Sequence, residues 1–160
     1  MTGMSATSKI GFLVANLNRQ LEKQIAESVR PLKLPIEQVR VIEALASPVA
    51  SQGMKMSELA QLIAVDASSL TKVIERMVSD SIVYRASDPN DRRTVKVLLA
   101  PKGVALFKTL RPFLENQERE LLKSFEQLSK QSSMPDLARV LEHLCQQTEI
   151  SGESGRKSSR

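Results

Sequence analysis

The chain has 160 residues, 41% hydrophobic and 26% charged, with 23 Lys and Arg against 18 Asp and Glu. That is the size and composition of a single globular domain; it excludes collagenous and disordered classes and leaves little room for two well-cored domains. The excess of basic residues suits a polyanionic partner, nucleic acid foremost. With no Trp, one Tyr and four Phe, the core must be built from Leu, Ile, Val, Ala and Met.

Composition also restricts the chemistry. His143 and Cys145 are the only residues of their kinds. They stand two positions apart on a helical stretch, so they point about 200° apart and cannot share a metal. His-based triads and thiolate zinc sites are therefore excluded, and a packing role is the simpler one for both. No phosphate-binding glycine loop is present, nothing argues for an enzyme, and no cofactor is expected. The longest apolar run near the start, Ile10–Ala15, is too short for a signal peptide core or a membrane span. A soluble cytoplasmic protein with no membrane partner is the expectation.

In chain order, residues 1–7 are small and polar and read as a frayed end. From Lys9 to Ser28, Phe12, Leu13, Leu17, Leu21 and Ile25 recur with helical period, and Pro31 closes the element. Pro35 opens a second helix at its first position, carrying Val39, Val41, Ile42 and Leu45 up to Pro48. Residues 50–53 read as a loop. Met56–Ile63 is a compact helix. Asp66 is a good N-cap for the next, which runs to Ser79 with Leu70, Val73, Ile74, Met77 and Val78 along one side. The period then changes to two. Ile82–Arg85 and Thr94–Leu99 read as strands joined by a tip rich in turn formers, residues 86–93. Pro101 restarts a long helix to about Leu128, Pro135 opens a last one through Leu144, and residues 149–160 form a Ser, Gly and basic tail.

Helix, tight turn, helix and hairpin is the order of a winged helix-turn-helix, in which the second helix of the pair enters a DNA major groove. The helix after Asp66 fits. Ser68, Ser69, Thr71, Lys72, Glu75, Arg76 and Ser79 share one continuous arc, opposite the apolar residues. Small hydroxyls permit close approach, and Lys72 and Arg76, one turn apart, suit phosphates or guanine edges. Taken alone, this face is equally that of an ordinary solvated helix. The hairpin tip shifts the balance, because it sets Arg92 and Arg93 beside Asp88 and Asp91, carboxylates placed to pin a guanidinium for a narrow minor groove.

The runs Ser57-Glu-Leu-Ala60, Ser68-Ser-Leu-Thr71, Ile74-Glu-Arg76, Asp88-Pro-Asn-Asp-Arg-Arg93 and Leu99-Ala-Pro-Lys-Gly103 resemble the MarR family of bacterial transcriptional regulators, most densely over 55–103. The resemblance implies a mainly α fold with a two-stranded wing, in one domain over 8–148. Its DNA-binding part would span about 35–100, with dimerisation helices over 8–30 and 101–148. It implies a homodimer that reads a pseudo-palindrome in double-stranded DNA. Ser68, Ser69, Thr71, Lys72 and Arg76 would then face the major groove and Arg92 and Arg93 the minor groove, with Asp91 holding the wing arginine. It further implies repression relieved by a small aromatic or phenolic effector, for which Asn16, Arg19, Val39 and Phe113 are conceivable liners. Three departures stand out: Asp80-Ser81 replaces a customary glycine before the wing, and Lys55 and Ala100 replace customary capping hydroxyls. The rival readings are a winged-helix adaptor that binds protein and a basic surface that binds nucleic acid without sequence preference.

Overall fold

The computed structural model describes residues 6–88, 91 and 93–129. The expected last helix, with His143 and Cys145, lies outside the described residues. Among them are five α-helices and a three-stranded antiparallel sheet: α1 (Ala6–Ser28), α2 (Ile36–Ala46), β1 (Met54–Lys55), α3 (Met56–Leu62), α4 (Ala67–Ser79), β2 (Val83–Ser87), β3 (Val95–Leu99) and α5 (Pro101–Ser129). Short 3-10 turns at Arg30–Leu32 and Pro48–Ala50 each contain a proline that a continuing α-helix would not accommodate. Pro35 is an N-cap, one position earlier than its expected place, and its carbonyl accepts from Gln38 and Val39 N–H. Pro112 lies inside α5. The chain forms two compact units, 1–117 and 118–160. In the second, the described residues continue α5, with a Lys123–Glu120 ion pair on its surface.

The sheet has the order β1-β3-β2, so the expected two-stranded wing gains a third strand. Met54 pairs with Val97 and Lys55 with Lys96, on the side of β3 away from β2. Two residues are too few to display an alternating pattern, and Met54 earns its place by burial over the core. The second strand begins at Val83 rather than Ile82, because the Ile82 N–H is taken by the Met77 carbonyl at the end of α4.

That helix end explains how the chain turns without glycine. Ile82 N–H reaches Met77 O at 2.8 Å and Ser81 N–H reaches Val78 O at 2.9 Å, while Ser81 adopts a left-handed φ of 58°. This is a Schellman closure, with buried Ile82 and Met77 supplying its apolar contact. The end of α3 repeats it: Val65 N–H bonds Ala60 O, Ala64 N–H bonds Gln61 O, and Ala64 has φ 56°. Both closures place a Cβ where glycine is favoured, so the helix-turn-helix corner and the entry to the wing each hold strain.

The core of the first unit draws on all five helices and on β2 and β3: Ile25 of α1 and Val29 just after it, Val39 and Ile42 of α2, Leu59, Leu70, Ile74, Met77, Val83, Val97 and Leu110 are almost fully buried. In contrast, the first half of α1 leaves Phe12, Leu13, Val14 and Leu17 outside, Phe12 at 66% exposure. One sequence period thus serves two surfaces, the core at its C-terminal end and an uncovered apolar face before it.

Candidate nucleic-acid interface

Asp66 starts α4 in extended backbone geometry and organises everything that follows. Its Oδ1 accepts the Ser69 N–H at 2.8 Å and the Ser68 hydroxyl at 2.6 Å, and its Oδ2 accepts the Ser69 hydroxyl at 2.6 Å. The two hydroxyls and the amide together hold the Asp66 carboxyl far below the usual carboxylate range, the Ser68 bond contributing most. One turn on, the Thr71 hydroxyl donates to Ala67 O at 2.8 Å. The three hydroxyl protons therefore point into the helix, and what Ser68, Ser69 and Thr71 offer outward are lone pairs. A lone pair suits a base amino group and repels a phosphate, which narrows the expectation that these hydroxyls serve either.

Lys72 and Arg76 are exposed and make no ion pair among the described residues. They flank a cleft of about 260 Å³ between α4 and the start of α2, lined also by Pro35, Glu37, Gln38 and Val73. Lys72, Arg76 and the two serines share the arc expected of them, and Ile74, Met77 and Leu70 are buried on the other side, with Val78 left at the edge.

At the wing, β2 and β3 pair in register from Val83↔Leu99 to Ser87↔Val95, and the tip is closed by Asp88 N–H to Thr94 O. Asp91 accepts the Arg93 main-chain N–H at 3.0 Å and the Thr94 hydroxyl at 2.9 Å. It thus holds Arg93 by its backbone, in an Asx turn. Asp88 meets Lys96 at 2.7 Å, with both side chains mostly buried. Arg93 is exposed at the tip; Arg92 lies outside the described residues.

The remaining departures have local remedies. Lys55 cannot cap α3 with a hydroxyl, but the Glu58 carboxylate reaches back to its N–H at 3.0 Å. Ala100 sends its N–H to Ile82 O at 2.9 Å. Of the conceivable ligand liners, Val39 is fully buried and packed into the core, so it presents no surface to a ligand; Arg19 bonds Asn16 on exposed α1 and Phe113 is partly exposed. None of the four lines the cleft at α4 or the one of about 400 Å³ between α2, β3 and α5. No cluster of three or more metal-ligating side chains occurs among the described residues, and no helix there is long and apolar enough to cross a membrane.

The stretch from α2 to β3 matches the MarR family model over residues 43–95. Over these residues the chain is similar to the MarR family. The multiple antibiotic resistance protein MarR of Escherichia coli is 30% identical over 97 residues, 61% of this chain and 65% of its own length, just under two thirds. The transcriptional activatory protein BadR of Rhodopseudomonas palustris is 25% identical over 142 residues, covering 88% of this chain and 81% of BadR. The structure of NadR in complex with 4-hydroxyphenylacetate superposes with a TM-score of 0.74 at 20% identity, over 91% of this chain and 98% of that one. The MarR family consists of transcriptional regulators rather than enzymes, and the winged helix described above is its fold.

Residues that the sequence motif contained without a role now have neighbours. Lys102 reaches the end of α4, and Gly103 lies against Ile82. A lysine contact 22 residues distant leaves no local signal.

Proposed function

We propose that the chain is a sequence-specific DNA-binding regulator that represses transcription as a homodimer on a pseudo-palindromic operator. The observation that carries this reading is the exposed face of α4, where two cations without an ion pair among the described residues and three hydroxyl oxygens free to accept line one side of a helix closed at both ends by fixed caps. Lys72 and Arg76 engage phosphates or guanine edges, Ser68, Ser69 and Thr71 accept from base amino groups, and Arg93, with Arg92, enters the flanking minor groove. Asp91 contributes by fixing the backbone from which Arg93 projects. The uncovered apolar face of α1 is the natural ground for a second copy, together with the chain beyond α5. A small aromatic or phenolic effector releases the DNA, in keeping with the hydroxyphenylacetate complex of NadR.

The test is recovery of sheared genomic DNA by purified protein under excess competitor, followed by sequencing. A pseudo-palindrome with half-sites about one helical turn apart supports the reading. Uniform recovery that vanishes at modest salt reduces it to a basic surface. A reporter driven by the recovered site then gives the sign of regulation, and higher expression with the protein present would overturn repression.

A further inference from the structure

The end of α4 is joined to the start of α5 at three points. Lys102 Nζ donates to Asp80 O at 2.7 Å, Ala100 N–H donates to Ile82 O at 2.9 Å, and Gly103 lies so close to the same Ile82 carbonyl that a Cβ there would fall inside 3.0 Å. Asp80 is the C-cap of α4. Its carbonyl lies at the negative end of the helix dipole, beyond the carbonyls that the Schellman closure satisfies, and the ammonium neutralises that end. The glycine removes the side chain that would otherwise hold the two segments apart.

We infer that Lys102 is a positioning residue for DNA recognition: it clamps the C-terminal end of α4 to α5 and so sets the angle at which α4 meets the groove. This rests on the DNA-binding reading above. Of the three contacts only the Lys102–Asp80 bond is made by an exposed side chain, so it can be broken without disturbing the core. Any displacement of the first turn of α5 is delivered to α4 through Asp80 and Ile82, while Asp66 fixes the other end.

The experiment compares the full-length protein with Lys102→Met, which keeps the apolar stem, and Lys102→Arg, which restores a cationic donor. Amide exchange without DNA reads the clamp itself. Exchange at Ser81 and Ile82 should accelerate about three- to tenfold in Lys102→Met and return in Lys102→Arg, the scale of one ordinary net hydrogen bond. Binding is measured on the duplex recovered from the genome and on a scrambled duplex of the same length. Lys102→Met should lose about three- to tenfold on the first only, with an unchanged salt dependence.

Unchanged exchange at Ser81 and Ile82 overturns the clamp. An equal loss on both duplexes with a shallower salt dependence also overturns it, since Lys102 would then be a phosphate contact. If exchange responds while the parent protein prefers no sequence, the DNA-binding reading has failed, and the role in recognition falls with it.

Discussion

Gly103→Ala is the sharpest test of how α5 docks. Helix propensity alone predicts that alanine in a helix gains about 1 kcal/mol over glycine. The structure predicts the opposite. An added Cβ would lie inside 3.0 Å of the Ile82 carbonyl oxygen and at 3.0 Å from Leu99 Cδ2. The carbonyl cannot retreat freely, because Ile82 N–H is bonded to Met77 O and Val83 begins the sheet. The first turn of α5 must move instead, by about an ångström, which stretches the Ala100–Ile82 bond beyond hydrogen-bond range. Overpacking of this kind costs about 1–3 kcal/mol, and the bond about 1 more. Set against the propensity gain, the net loss is about 2 kcal/mol, and for a chain of this size Tm falls by about 4–8 °C. Gly11 is the control: a Cβ there meets nothing within 4 Å, so Gly11→Ala should raise stability by about 0.5–1 kcal/mol. Thermal unfolding followed by circular dichroism, at one protein concentration, measures both. A Gly103→Ala protein that melts at or above the parent temperature would refute the close approach.

Four further outcomes follow from the same geometry. Ala64→Gly and Ser81→Gly each relieve a left-handed Cβ, worth about 1–2 kcal/mol, against the entropy that glycine adds to the unfolded chain; each should stabilise by about 0.5–1 kcal/mol in chemical denaturation. Asp66→Ala should lower Tm at neutral pH; because folding lowers the Asp66 pKa, the gap to the parent should persist above about pH 4 and close as pH falls toward the folded value. A gap that widens in acid would contradict the cap. Arg93→Ala should weaken operator binding by about 1–3 kcal/mol in a fluorescence titration, with the melting temperature unmoved. Leu17→Glu, on the uncovered face of α1, should shift the protein toward monomer in light scattering, and an intact dimer would remove α1 from that interface.

Much of this fold is legible in the residues because its helices are long and strongly periodic. The α4 arc, its Asp66 cap and the proline-opened α5 all follow from spacing and capping chemistry, which act within a few residues. What spacing could not supply was anything made by contact across the chain. The strand Met54–Lys55 exists because β3 offers it a partner. Leu13 and Leu17 carry the same apolar signal as Ile25, and the sequence alone cannot tell which of them the first unit covers. The direction of the Ser68, Ser69 and Thr71 protons was equally hidden, since a hydroxyl reads as donor and acceptor alike until its neighbours are placed. At the wing, spacing alone did not show that Asp91 accepts the Arg93 main-chain N–H, a near donor that costs no side-chain entropy.

The Asp88–Lys96 pair at the base of the wing gives the hairpin a further property. A largely enclosed ion pair is screened far less by added electrolyte than charges standing in solvent. Rising ionic strength therefore strips the exposed cations of their hold on a phosphate backbone while leaving the hairpin itself closed. For this protein a titration with salt counts contacts on an intact frame, so its slope can be read as stoichiometry without a correction for a melting wing.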